Sequence, residues 1–202
     1  MEKVKQKLTH RQRQALATQK LIADTARKMF LEQGYGATTI EAISVRAGVA
    51  VSTVYAIFTN KRGILRAIRE EWHLASGQRD IYKEALTYSD PARRLEVAAH
   101  ATRRQWETSA AMMTIYLSAA ATDQEAAAEL KQALEGRKAF LSYFISELST
   151  ALRSDIDPAR ATAIFQALTK PEIYQELVQE AKWSPVEYET WLADILKQQL
   201  LP

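Results

Sequence analysis

The sequence predicts an all-α protein in two parts, a small N-terminal domain of short helices followed by a larger domain of longer ones. Three observations lead there. Six glycines and five prolines in 202 residues leave little material for turns. Apolar positions recur at spacings of three and four almost throughout, and no run alternates with a period of two. The charge is also unevenly divided. Residues 1–76 hold thirteen Lys/Arg against six Asp/Glu, a net of +7, whereas residues 77–202 hold fourteen against eighteen, a net of −4. Such a division points to a head that meets a polyanion and a body that meets something else.

The elements follow in order. A basic arm occupies residues 1–13, carrying Lys3, Lys5, Lys7, Arg11 and Arg13, and can track phosphates or the minor groove of a duplex. The first helix is expected from Gln14 to Gln33, with Ile22, Ala26, Met29 and Phe30 on its inner stripe and Gly34 at its end. A short second helix starts at Thr38 or Thr39: Thr38 with Glu41 fits a capping box, and Thr39 is an equally good cap one residue on. It stops at Gly48. A third short helix runs from about Ala50 to Ile57, and a fourth begins after Asn60 with Ile64, Leu65, Ile68, Trp72 and Ala75 on one face. Residues 77–90 read as a hinge. Pro91, preceded by Asp90, opens a helix to about Thr108, and another covers Ala110 to Ala121. The longest is expected from Asp123 to about Arg153, with Leu130, Leu134, Leu141, Ile145, Leu148 and Leu152 on its stripe. Pro158 opens the next helix, Pro171 interrupts or restarts it, and Ser184-Pro185 opens the last, with Tyr188, Trp191, Leu192, Ile195 and Leu196 inward.

Composition excludes several classes. The chain has no cysteine, which removes disulfides, thiol nucleophiles and thiolate metal sites and suits a reducing compartment. The N-terminus lacks the apolar run of a signal peptide, and Ala110 to Ala121 is too short and interrupted to span a bilayer, so a cytoplasmic protein with no membrane contact is expected. His10, His73 and His100 stand apart without metal-ligand spacing, and no nucleophile elbow, P-loop or dinucleotide fingerprint occurs. The reading is therefore not an enzyme, with no cofactor and no metal. Glu70, Glu71 and His73 sit together as a solvated cluster.

The informative stretch is Thr38 to Lys61, TTIEAISVRAGVAVSTVYAIFTNK. Two helices of about eight residues joined through Gly48 cannot bury much surface alone, so the first helix must pack behind them. Ile40, Ile43, Val49, Val54 and Phe58 then fill a small three-helix core. This is a helix-turn-helix at about residues 39–58 inside a domain of residues 14–76, and its second helix suits the major groove of DNA. Ser52, Thr53 and Tyr55 give that helix small, hydrogen-bonding groups. Lys61, at the start of the next helix, combines a cation with free backbone N–H groups, which suits phosphate.

The pattern TT-x-x-x-I-x-x-x-AGV-x-x-x-T-hydrophobic-Y-x-x-F-x-x-K, within Gln14 to about Arg69, resembles the DNA-binding head of the TetR family of bacterial regulators. The resemblance implies a two-domain, all-α homodimer on a double-stranded operator, a repressor whose C-terminal domain takes a small-molecule effector that weakens DNA binding. It implies that Thr39 caps the second helix and touches phosphate, that Thr53 and Tyr55 make the main recognition contacts, that Val51 and Ser52 face bases, and that Lys61 contacts phosphate. Ala56 and Ile57 stand where the family often has a histidine or another aromatic, Ser44 replaces a usual alanine, and Glu41 stands where a basic residue is common. These departures imply fewer phosphate contacts and leave the operator sequence open.

Residues 77–202 match the family only in pattern, apart from the tail KPEIYQELVQEAKWSPVEYETWL. The implied dimer interface is a four-helix bundle built from the last two helical segments, with Ala159, Ala163 and Ala167 allowing close approach and Trp191, Leu192 and Ile195 filling the middle. His100, Trp106, Met112, Met113, Tyr116, Phe140, Tyr143 and Phe144 are candidates to line an effector cavity, since Met and aromatics suit an adaptable apolar pocket. The competing reading is an all-helical small-molecule-binding or interaction protein without operator binding.

Overall fold

The computed structural model describes residues 9–202, of which residues 109–111 in their backbone alone. Residues 1–8 of the expected arm, with Lys3, Lys5 and Lys7, lie outside the described residues. Helix α1 (His10–Gln33) starts four residues earlier than expected. Its cap is Thr9, whose hydroxyl accepts from the Gln12 N–H at 3.3 Å while the Gln12 side chain accepts from the Thr9 N–H at 2.8 Å. That reciprocal pair satisfies two otherwise orphaned donors and draws Arg11 and Arg13 into the helix.

Helices α2 (Ile40–Ala47), α3 (Val51–Phe58) and α4 (Lys61–Ser76) complete the head. Thr39, not Thr38, caps α2, accepting from the Ala42 N–H at 3.1 Å. Thr38 instead turns its hydroxyl back to the Gly34 carbonyl at 2.8 Å. Gly48 ends α2 at φ 67°, a left-handed conformation that costs glycine little. The chain turns through 112° between α2 and α3.

The expected hinge at residues 77–90 contains a further helix, α5 (Gln78–Ala85), because Tyr82 and Ala85 give one face to the body's core. Helix α6 (Pro91–Ala120) is continuous where two helices were expected, and it is the longest described. Nothing breaks it near Thr108, whose hydroxyl bonds back to the Arg104 and Gln105 carbonyls inside the helix. Helix α7 (Gln124–Ser146) is shorter than expected. A 3-10 turn follows it at Ser149–Ala151, and the Arg153 N–H then donates to the Leu200 carbonyl at 3.0 Å, drawing the chain away from the α7 axis. Helices α8 (Pro158–Leu168), α9 (Pro171–Tyr174) and α10 (Pro185–Leu200) close the fold, with a π-helical segment at Gln175–Glu180 between the last two. Ser184 and Glu187 form the capping box of α10.

Two cores hold these helices. One gathers Leu95, Trp106, Leu141, Phe144, Ile145, Phe165, Tyr188, Leu192 and Leu196 from α6, α7, α8 and α10. The other joins Ile22, Phe30, Ile43, Val54, Phe58, Ile64 and Leu65 of the head to Met112, Ile115, Tyr116 and Ala119 at the far end of α6. The head's core therefore does not end at residue 76. Burial of each large side chain contributes about 1.5–3 kcal/mol, so the end of α6 is welded to the head by apolar packing. Leu134, placed by periodicity on the inner stripe of α7, is 48% exposed. No single helix among the described residues is long and apolar enough to cross a membrane.

Candidate nucleic-acid interface

Helix α3 is held from behind. Val54 and Phe58 are buried and Val51 and Ile57 partly so, which fixes the opposite face outward. On that side Ser52 and Ala56 are exposed, Thr53 is half-buried, and Tyr55 is 47% exposed. None of the three hydroxyls bonds within the described chain; the Thr53 N–H donates to the Ala50 carbonyl at 2.9 Å as part of the helix start. Helix α3 carries no charged residue. It thus presents three uncommitted donor–acceptor groups on a surface small enough to enter a groove. Val51, expected to face bases, gives part of its surface to the core and keeps the rest outward.

The joint between α3 and α4 is strained. Thr59 sits at φ 66° and ψ −43°, and the Asn60 N–H donates to the Phe58 carbonyl at 2.7 Å, a γ-turn of the rarer hand. Asn60 then caps α4, its side-chain oxygen accepting from the Gly63 N–H at 2.9 Å. A Cβ at Gly63 would lie 1.9 Å from the Phe58 carbonyl oxygen, so only glycine allows the two helices to approach this closely.

Lys61 opens α4 as expected, but its side chain turns inward. Its ammonium donates to the carbonyls of Tyr35 at 2.8 Å and Thr38 at 2.9 Å, and lies 4.2 Å from the centre of the Tyr35 ring. Burial lowers its pKa, and the charge of Asp123 only partly offsets that. In the loop between α1 and α2 the Tyr35 carbonyl accepts only a long bond from the Thr38 N–H at 3.3 Å, and the lysine gives it a second donor and the Thr38 carbonyl its donor. The side chain is therefore a brace inside the head. What remains for an anion at this point is the set of backbone N–H groups opening α4. Thr39 is exposed and spends its hydroxyl on its cap.

The head's positive charge is not a patch on α3. Arg62 pairs with Asp123 at 3.4 Å and Glu125 at 2.8 Å, and Arg66 pairs with Glu129 at 2.8 Å, all three carboxylates belonging to the body. Arg46 pairs with Glu32, and Lys20 with Asp24 and Glu71. The Tyr35 N–H and hydroxyl also reach the body, at Ser118 (3.1 Å) and Asp123 (3.3 Å). Sequence reasoning missed Tyr35 and Val45. The first carries no charge that would mark it as the seat of Lys61, and the second, 80% exposed on α2, looks like an ordinary core valine.

In the body the eight candidate cavity residues do not converge. Trp106 and Phe144 are buried in the body's core, whereas Met112 and Tyr116 belong to the core shared with the head. Met113 is half-buried, and Phe140 and Tyr143 are 37% and 51% exposed. His100 is half-buried and its Nδ1 lies 3.0 Å from Glu189, which also pairs with Arg103. Two open depressions, of about 350 Å³ along α7 at Leu130 and Leu134 and about 460 Å³ between α7 and α8 at Ser142 and Thr162, contain none of the eight. Helical periodicity brought these residues together in projection, but α6 is long enough that its two ends serve different cores. Of the interface candidates, Ala159, Ala163 and Ala167 line an exposed face of α8, and Trp191 and Ile195 are half-buried. Leu192 is wholly inside its own subunit; it sits one turn from Tyr188 and Leu196 on the buried stripe of α10, so it is a core residue and not an interface residue.

Comparisons with known proteins agree with the geometry of the head. The family model described as bacterial regulatory proteins, tetR family, matches residues 22–68. An uncharacterized HTH-type transcriptional regulator, YvkB of Bacillus subtilis (strain 168), is 32% identical over 75 residues, spanning 34% of this chain and 40% of that protein. Among solved structures, the SmeT–triclosan complex has a TM-score of 0.73 at 22% identity, covering 92% of each chain. NalD, the secondary repressor of the MexAB-OprM multidrug efflux pump in Pseudomonas aeruginosa, has a TM-score of 0.66 at 23% identity, covering 94% of this chain and 98% of its own. These two share the fold from head to tail. Residues 22–68 thus match the tetR-family head, and the solved structures show the same fold over the rest of the chain.

Proposed function

We propose that this protein is a sequence-specific, DNA-binding transcriptional regulator: a homodimeric, cytoplasmic repressor that leaves its operator when a small molecule binds the body. The observation that carries the reading is the outer face of α3, with Ser52, Thr53 and Tyr55 uncommitted and held in place by buried Val54 and Phe58. Those hydroxyls read base edges, and Val51 and Ala56 offer apolar contact to a thymine methyl. Thr39 and the N-terminal amides of α4, in place of the Lys61 side chain, meet phosphate. The small face of Ala159, Ala163 and Ala167, with Trp191 and Ile195, forms the dimer contact. Structural relatives that are named as repressors, one of them in complex with triclosan, support the repressor and effector parts of this reading.

A test is selection of bound duplexes from a random-sequence library. The reading expects a two-fold symmetric site whose half-sites are centred one helical turn apart, about 34–36 Å. Recovery of no common sequence, or of an asymmetric single site, contradicts it.

A further inference from the structure

Inside the body two polar groups, Arg137 Nε on α7 and the Tyr188 hydroxyl, are shut off from solvent without a partner. At the border between body and head, by contrast, side chains of one are spent on the other. The turn between α6 and α7, residues 121–123, meets the loop between α1 and α2, residues 34–39. A Cβ at Gly36 would lie 3.1 Å from the Thr122 methyl, so loop and turn approach closely. Tyr35 stands between them, buried. Its N–H donates to the Ser118 hydroxyl at 3.1 Å and its own hydroxyl to the Asp123 carboxylate at 3.3 Å.

The same tyrosine is tied to the head. Its carbonyl accepts from the ammonium of Lys61, the first residue of α4, which also lies 4.2 Å from the centre of its ring. That ammonium donates in addition to the carbonyl of Thr38, next to the Thr39 cap of α2. The starts of α2 and α4 are thus both fastened to Tyr35, and Tyr35 is fastened to the body. Asp123 is held as firmly on its own side. Its Oδ1 caps α7, accepting from the Glu125 N–H at 3.0 Å and the Ala126 N–H at 3.1 Å, and pairs with Arg62, the second residue of α4, at 3.4 Å. Close-packed interiors transmit strain, so a shift of the turn against the head is passed to these helix starts.

We propose that Asp123 and Tyr35 are positioning residues for DNA binding: they form a clasp through which the turn between α6 and α7 sets where α2 and α4 begin. The clasp rests on the DNA-binding reading above and adds to it the route by which a rearrangement of the body reaches the phosphate-facing amides.

The test uses the full-length protein and two substitutions that spare the fold. Tyr35→Phe keeps the ring and its contact with Lys61 and removes only the hydroxyl. Asp123→Ser keeps a capping oxygen for α7 but is too short to reach Tyr35 or Arg62. Hydrogen–deuterium exchange read by mass spectrometry should quicken in both variants over residues 34–47 and 59–66, with the peptides of α8 and α10 unchanged. On a duplex selected by the wild-type protein, each variant should bind at least about fivefold more weakly in fluorescence anisotropy. The double variant should be no weaker than Asp123→Ser alone, because both substitutions cut the same link. Wild-type exchange rates over residues 34–47 and 59–66 overturn the inference, as does faster exchange throughout the chain in both variants or an additive loss in the double variant. If the wild-type protein binds its duplex and both variants bind it equally well, the DNA-binding reading stands and the clasp falls. If the wild-type protein selects no duplex while exchange quickens in these two segments alone, the clasp stands and the DNA-binding reading falls.

Discussion

The outer face of α3 and the interior beside Arg137 both hold polar groups with no partner in the chain, but the cost of each is different. Ser52, Thr53 and Tyr55 are uncommitted at the surface, where water satisfies them and stability is untouched. Arg137 Nε and the Tyr188 hydroxyl are uncommitted in the interior, where each unmade bond costs about 1–3 kcal/mol. A reading head can therefore be kept ready at no cost, whereas a buried orphan donor is a standing cost to the fold. The two regions are joined through the end of α6, whose Met112, Ile115 and Tyr116 belong to the head's core while Trp106, further up the same helix, belongs to the body's.

Substitutions that remove structure should break this comparison first, and those that touch only recognition should sharpen it. The largest effect is expected for Leu192→Ala, which leaves a void in the body's core and should cost about 2–5 kcal/mol in urea denaturation. A loss below about 1 kcal/mol with a weakened dimer in sedimentation would return Leu192 to the interface, since surface changes of that kind cost little. Gly63→Ala forces a methyl against the Phe58 carbonyl and should cost about 1–3 kcal/mol, with operator binding lost as α3 shifts; a variant of unchanged stability and affinity would show that the joint is loose. Lys61→Met strands the Thr38 carbonyl, removes the second donor to the Tyr35 carbonyl and should cost about 1–3 kcal/mol. It should leave the salt dependence of operator binding unchanged, whereas a phosphate-contacting lysine would lower the logarithmic salt slope by about 1. Thr53→Ala and Tyr55→Ala come last in stability, each within about 0.5 kcal/mol of wild type. Each should still weaken operator binding by about 1–3 kcal/mol in fluorescence anisotropy.

Most of the head could be read from its residues because local rules act over a few positions there. Thr39, Gly48 and Asn60 each mark a helix end through their own chemistry, and Ile43, Val54 and Phe58 repeat at helical spacing around one small core. Lys61 misled because its place in the pattern says nothing of the Tyr35 and Thr38 carbonyls that take its ammonium, which come from a loop more than twenty residues away. The body was harder for the same reason at larger scale. Thr108 and Ser109 look like a break yet are carried by the hydrogen bonds of α6. Leu134 keeps the period of α7 but faces a stretch where no neighbour covers it, and Phe140 and Tyr143 share the aromatic character of Phe144 without sharing its burial. Arg137 carries no sequence signal at all, since a lysine- and arginine-bearing helix face normally faces solvent.

The central claim is that the outer face of α3 lies against DNA bases. The chain has no cysteine, so Ser52→Cys and, on the body, Ser142→Cys each offer one attachment point for a short photocrosslinker. With a duplex selected by the wild-type protein, the account predicts base-specific crosslinks from position 52 at both half-sites and none from position 142. Crosslinking from position 142 with none from position 52 would contradict it.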